Sequence, residues 1–387
     1  MTKVSRRAAL GGGLALAAAP FLLAGSPVAA ARPRAESGMQ GPVRLGVLTH
    51  TTGPLAAYAQ RQLLGVRTRA DQVNSAGGHG SAPEIELLVR DAGADEKSAA
   101  SAASALLDEG VHAVVAATAP WLADAVSGQC TLGCVPVISP ATGIVPTNPY
   151  AFQSAPSAAQ VLRTLMKAAQ AAGLTKLAHL ATDKLASPAI VELVQTEAAN
   201  RGLSIAGFEP VAVDATDLKD AAGKLVAAKP DALVISALPP QSGAAVRDAR
   251  AAGWTGPILL TPEGVHPAFH STAGDAAEGV QVVSPWLPAA DSAPDSVPNI
   301  ATVRRFAGAF APNGPANPAA GFGADAVALT HQAFLGHRDR KMAREQLENA
   351  CCVGVCGVYN LTAADHSGLA DDALTVLTSK AGKWGMA

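Results

Sequence analysis

The chain has 387 residues, of which 49% are hydrophobic and only 16% charged, with a formal net charge of −2. So low a charged fraction argues for large buried sheets under alanine-rich helices and against disorder. The length exceeds what one hydrophobic core usually serves, so two domains are expected. Aromatic residues make up 4%, and no cluster of Lys and Arg occurs in the body of the chain, which excludes a nucleic-acid surface.

Residues 1–31 read as an export signal. Lys3, Arg6 and Arg7 form a basic start with no acid, a soft apolar stretch follows over 8–24, and small residues at 28–31 offer a cleavage site. Ser5-Arg6-Arg7-Ala8-Ala9-Leu10 resembles a twin-arginine signal with Ala9 in place of the usual Phe; an ordinary secretory signal containing two arginines is the alternative. Gly11, Gly12 and Gly13 argue against a membrane anchor, and no later segment is apolar enough to span a bilayer. Leu22-Leu23-Ala24-Gly25-Ser26 has the outline of a lipoprotein box, but Ser26 stands where the lipidated cysteine belongs. The expected product is an exported, unlipidated protein, periplasmic or extracellular, that is not embedded in the membrane.

In chain order, 43–48 is an apolar strand run, followed by a helix with Leu63, Val66, Ala70 and Val73 on one face. Asn74-Ser75-Ala76-Gly77-Gly78 ends it, with glycine free to take the left-handed cap. Segment 84–89 alternates as a half-buried strand, Asp95 is placed to cap the next helix, and 111–117 and 135–138 are further buried strands. The rhythm restarts after Pro156, with strand runs at 177–181, 204–208, 232–236 and 258–261 and helices between them. Such alternation predicts an α/β protein of two doubly wound lobes with parallel sheets. Ligands of open sheets bind beyond the carboxyl ends of the strands, which directs the search to loops 49–58, 117–121, 139–142, 182–187, 237–241 and 261–265. Residues 288–300, rich in Pro, Asp and Ser, read as a surface loop.

All five cysteines lie beyond the signal, and in an oxidising compartment pairing is expected with one thiol left over. Cys130 and Cys134 are four apart near a helix end, and Cys351, Cys352 and Cys356 form a second cluster; the pairing stays open. No histidine stands at finger-like spacing to them, so no metal centre is expected. No HExxH, phosphate-binding loop or G-x-S-x-G elbow is present, Gly78-His79-Gly80-Ser81 is a turn, and His179 inside a strand run is most simply a core residue. An enzyme is not expected, nor a cofactor.

Thr52-Gly53-Pro54-Leu55-Ala56-Ala57-Tyr58, then Asp71-Gln72-Val73-Asn74-Ser75-Ala76-Gly77-Gly78, resemble the opening of the leucine/isoleucine/valine-binding proteins of ABC transporters. The likeness continues in Arg90-Asp91-Ala92-Gly93, Val135-Pro136-Val137-Ile138-Ser139-Pro140, Pro230-Asp231-Ala232-Leu233-Val234, Arg247-Asp248-Ala249-Arg250-Ala251-Ala252-Gly253-Trp254, Thr261-Pro262-Glu263-Gly264-Val265 and Ala324-Asp325-Ala326-Val327. Each motif is weak alone; their order across 43–387 is specific. The resemblance implies a type I periplasmic binding protein fold, two lobes joined by three crossing segments near 150–156, 282–288 and 350–359. The N-terminal lobe is then 43–152 with 286–350 and the C-terminal lobe 153–285 with 351–387. It also implies a monomer that delivers a small-molecule ligand, an amino acid or related amine, to ABC transporter permease subunits; a receptor-coupled sensor or a binder of an amide is the alternative.

By the same resemblance Glu263 matches the acid that pairs a ligand ammonium, Ser139 and Thr142 lie in the hydroxyl-bearing loop that receives a ligand carboxylate, and Tyr58 lines the pocket. Where the family carries a hydroxyl donor after its third strand this chain has Pro120, with Thr118 and Trp121 beside it, and proline has no N–H to offer, so the ground for one carboxylate contact is reduced. Ser187-Pro188 replaces the usual Tyr-Gly pair and Leu238 a pocket aromatic, so the ground for assigning leucine, isoleucine or valine is reduced. Trp121 and Trp286 are the candidates to restore apolar lining.

Overall fold

The computed structural model describes residues 41–76, 83–116, 119–143 and 146–386. The export signal with Arg6 and Arg7, the turn 78–81, and Thr118 lie outside the described residues.

The first half builds β1 (Val43–Thr49), α1 (Ala56–Ser75), β2 (Ile85–Asp91), α2 (Glu96–Asp108), β3 (Ala113–Ala116), α3 (Ala123–Leu132), β4 (Val137–Ser139) and β5 (Ala151–Gln153). The strands form one sheet in the order β2-β1-β3-β4-β5, every pair parallel. Local chemistry fixes the joints. Asp95 caps α2 by accepting from Ser98 N at 2.8 Å, while Ser98 Oγ accepts from Asp95 N, a reciprocal capping box. Asn74, near the end of α1, bonds both the N–H and the carbonyl of Ile85 and so sets where β2 begins.

The second sheet follows: α4 (Ala158–Ala171), β6 (Lys176–Thr182), α5 (Pro188–Ala199), β7 (Ser204–Val211), α6 (Lys219–Ala227), β8 (Ala232–Ser236), α7 (Gln241–Ala251), β9 (Ile258–Leu260), α8 (Pro267–Ala273) and β10 (Gln281–Ser284). Then come α9 (Ile300–Phe310), α10 (Pro318–Ala333), α11 (Arg340–Leu347), a hairpin of β11 (Cys351–Val353) and β12 (Val358–Asn360), and finally β13 (Thr375–Lys380) and β14 (Lys383–Met386). The sheet order is β14-β13-β10-β9-β8-β6-β7. Strands β6 to β10 are parallel as the alternation predicts, whereas β13 and β14 join antiparallel. A two-residue turn, Ala381-Gly382 with positive φ at both, connects β13 to β14, and so short a link permits only antiparallel pairing.

Helices α9 to α11 return to the first sheet. There α1 and α10 cross with their backbones almost touching: a Cβ on Gly65 would lie 1.9 Å from the Ala320 carbonyl oxygen, and one on Gly323 2.3 Å from that of Gln62. Residues 288–300 are more than a surface loop. Ala289, Ala290 and Ala293 are buried, and Asn299 Nδ2 donates to the carbonyls of Gly354 and Val355.

Three stretches of chain run side by side under α10. Ala155, Phe322 and Cys356 pack together, and Leu287 shares a second cluster with Val355 and Ala324. The buried Asp325 carboxylate accepts from Val355 N at 2.5 Å and Cys356 N at 2.8 Å, and lies 2.9 Å from the Tyr359 hydroxyl. That hydroxyl also reaches the Ser154 carbonyl at 2.6 Å. Beyond it, Leu361 and Leu369 turn back into the core of the first sheet before the chain enters the second at Thr375.

The expected cysteine pairing is not found: all five are thiols. Cys351 and Cys352 are neighbours on a strand, so they point to opposite faces, one exposed and one buried. Cys356 is enclosed beside Asp325, and Cys130 is buried within the α2–α3 side of the first sheet. Among the described residues no helix is long and apolar enough to cross a membrane.

Candidate functional site

The carboxyl ends of the two sheets face one another across a cleft. Strand β1 leads into His50 and the loop before α1, β4 into Ala141 and Thr142, β6 into Leu185, β8 into Leu238, and β9 into Thr261 and Glu263. The cleft is closed: Tyr58, Leu238 and Ala319 form one buried apolar cluster, with Leu55, Trp121 and Leu185 against it. Three cavities of about 450, 60 and 20 Å³ open within it, and Thr142 and Leu185 line all three, which makes them compartments of one site.

Each wall is held by its own hydrogen bonds. Asp91 at the end of β2 accepts from the Thr51 hydroxyl and amide and from Gly93 N, which fixes the loop into α1. Gln62 Nε2 donates to the Pro140 carbonyl at 2.6 Å and ties α1 to the Ser139–Thr142 loop. Opposite, the Thr182 hydroxyl bonds Gln241 Oε1 at 2.9 Å and receives Leu238 N at 3.3 Å. Asn317 caps α10 and donates to the Val265 carbonyl, linking it to the Glu263 turn.

Of the residues singled out in the sequence, Tyr58, Thr142, Leu238 and Glu263 line the same narrow compartment. Ser139 lines the large one with Thr142 and Trp121. Thr118 lies outside the described residues, although Ala119 and Pro120 on its far side line the cleft. Trp286 packs against the second-sheet core instead. Ser187 caps α5, accepting from Ile190 N, and also lines the large compartment.

The Tyr58 and Thr142 hydroxyls, Thr261 Oγ1, His50 Nε2 and Gln62 Oε1 are buried without a hydrogen-bond partner. Most buried polar groups are paired, and these five line the cleft, within reach of a bound ligand's polar groups. Glu263 is 6% exposed, and its carboxylate makes no hydrogen bond or ion pair among the described residues. Burial, then the negative charge of Glu263, pushes the Tyr58 phenol well above its usual range, so it stays a neutral donor. Burial lowers the His50 pKa and favours the neutral ring.

His50, Gln62, Leu185 and Thr261 escaped assignment as site residues from the sequence. His50, Leu185 and Thr261 lie in the loops at the carboxyl ends of the strands, 49–58, 182–187 and 261–265, and Gln62 follows Tyr58 by four on α1 and so shares its face. Among the described residues no group of three or more His, Cys, Asp or Glu could hold a metal ion.

Two open α/β sheets closing their carboxyl ends over unpaired polar groups define a two-lobed ligand-binding protein. The chain belongs to the periplasmic binding protein family, whose model matches residues 42–383, and it is a binding protein and not an enzyme. An extracellular ligand-binding receptor from Rhodopseudomonas palustris HaA2 has the same fold, with a TM-score of 0.80 at 22% identity over 90% of this chain and 100% of that one. The leucine-binding protein LivK of Thermotoga maritima gives 0.76 at 19%, over 89% and 97%. The branched-chain amino acid transporter substrate-binding protein LivJ of Streptococcus pneumoniae, in complex with isoleucine, gives 0.75 at 22%, over 89% and 97%. No curated protein sequence matches this chain closely enough to count as a relative.

Proposed function

We propose that the protein is an exported, monomeric solute-binding protein that delivers an amino acid or related amine to an ABC transporter. The observation that carries this is Glu263, a buried carboxylate with no cation paired to it among the described residues, lining one compartment with the unpaired hydroxyls of Tyr58 and Thr142. A buried charge costs several kcal/mol unless it is compensated, and a ligand ammonium supplies the compensation. Thr142, Ser139 and Thr118 are the donors for a ligand carboxylate, and Tyr58 and Leu238 the apolar walls. Leucine-binding and isoleucine-bound structures of the same fold support an amino-acid class of ligand.

In this reading the lobes are joined around Ser154–Ala155, around Leu287 and between Leu369 and Thr375, the last later than the expected 350–359. The N-terminal lobe, expected as 43–152 with 286–350, also takes 351–374, and the C-terminal lobe is 153–285 with the closing strands β13 and β14 in place of the expected 351–387. The β11–β12 hairpin and the segment after it go with the first lobe, whose core holds Cys352, Tyr359 and Leu369. A thermal-shift screen of the mature protein against amino acids, amides and amines, followed by titration calorimetry, tests the proposal. Stabilisation by RT ln(1 + [L]/Kd), about 2.7 kcal/mol at a hundredfold excess over Kd, identifies a ligand. Binding only of compounds that lack an amine overturns the assignment of Glu263.

A further inference from the structure

The 60 Å³ compartment runs from Glu263 into the interior of the second lobe, between α4, α5 and the sheet. Val161, Leu162, Ile190, Val194 and Phe208 make its walls apolar. Its floor is polar. His179 on β6 is 2% exposed, its Nε2 lies 2.8 Å from Ser236 Oγ, and its Nδ1 has no partner. Thr261, 5% exposed, also lines it with an unpartnered Oγ1. An ordinary core would pair these atoms or replace them with carbon.

Resting on the amine-binding reading of Glu263, we propose that this compartment receives the tail of the ligand, and that His179 and Thr261 select a short, uncharged tail ending in a hydrogen-bonding group such as a carboxamide. Three features carry the choice. Glu263 lines both this compartment and the narrow one beside Tyr58, so a ligand whose ammonium meets Glu263 has the chamber within reach. The volume of about 60 Å³ admits about four to six non-hydrogen atoms, at the roughly 10–15 Å³ that a water needs. Among the described residues the walls hold no Lys or Arg to neutralise an anionic tail, and desolvation excludes a charge left unpaired there. Burial also lowers the His179 pKa to about 4, so the imidazole offers neutral hydrogen bonding at physiological pH. A hydrocarbon tail of equal size would leave Nδ1 and Oγ1 unpaired, which is how a polar pocket rejects an apolar isostere.

The test uses three probes of one length: L-glutamine, its hydrocarbon isostere L-homoleucine, and L-glutamate, each titrated by calorimetry into the mature protein. Glutamine is expected to bind at least tenfold more tightly than either of the others. His179→Leu should abolish that preference by weakening glutamine and sparing homoleucine. Ser236→Ala, which removes only the hydroxyl that holds the ring, should reduce it, and circular dichroism confirms that each variant is folded. Homoleucine or glutamate binding as tightly as glutamine, or a preference unchanged in both variants, overturns the tail assignment. Binding of other amine-bearing ligands but none of these three overturns it too, and leaves the Glu263 reading standing. Loss of the Glu263 reading shows separately, as unchanged affinity of the best amine ligand for Glu263→Gln, and takes the tail assignment with it.

Discussion

Asp325 makes the stability of this fold depend on pH in a direction opposite to that of most carboxylates. Two donors, Val355 N and Cys356 N, point at it, and the Tyr359 hydroxyl stands between Asp325 and the Ser154 carbonyl. That hydroxyl has one proton and two acceptors. A proton on Asp325 satisfies both, since the acid then donates to Tyr359 while Tyr359 donates to Ser154. Burial raises the Asp325 pKa to about 6 and outweighs the opposing hydrogen bonds from Val355, Cys356 and Tyr359. In the unfolded chain the value is about 3.9. Between those values the folded state binds more protons, so the contribution is fully present below pH 4 and is lost as pH rises to about 6. Two units correspond to about 3 kcal/mol. Asp325→Asn removes the titration and leaves the Cys356 N–H facing an amide nitrogen, a cost of about 1–3 kcal/mol that does not vary with pH. Urea unfolding of both proteins at several pH values from 3.5 to 7.5 gives the difference in stability, from which other titrating groups cancel. That difference should fall by about 3 kcal/mol with rising pH. A flat difference, or one that grows, refutes the reasoning.

Glu263→Gln keeps size and hydrogen bonding but removes the charge, so affinity for an amine ligand should drop by about 2–5 kcal/mol in calorimetry, while the Tm of the ligand-free protein should rise because an uncompensated buried charge is removed; equal affinities would make Glu263 a bystander. Gly65→Ala should destabilise the protein by about 1–3 kcal/mol despite better helix propensity, because its Cβ meets the Ala320 backbone. Gly128→Ala on α3, where a Cβ meets nothing within 4 Å, should instead stabilise by about 0.5–1 kcal/mol, and thermal unfolding of the pair separates the two cases. On the export reading, mass spectrometry of protein recovered from the host should find it outside the cytoplasm, unlipidated, beginning near Ala31 or Arg32; intact Met1-bearing protein confined to the cytosol would count against it.

Much of this protein was legible in local pattern. The βα alternation placed most strands within a few residues, because a strand buried on both faces must be a short apolar run and a covering helix must be amphipathic. Asp95 declared its cap, since capping is a contact three residues away. The brief β5 and the closing pair β13–β14 gave no such signal: Ala151–Gln153 is too short for periodicity, and β13 owes its place to β10, almost a hundred residues earlier. The same distinction divides the site. Glu263, Tyr58 and Thr142 stood out through a resemblance of motifs, but their convergence on one compartment depends on two sheets closing face to face. His179 reads from sequence as one more residue in a strand run. Only the tertiary packing leaves its Nδ1 unpaired and places the residue in the wall of a chamber shared with Glu263. Local sequence determines which residues form strands, helices and caps, because those interactions span a few residues. Which polar groups are left without partners depends on every neighbour brought up by the fold, and that was decided by the tertiary structure alone.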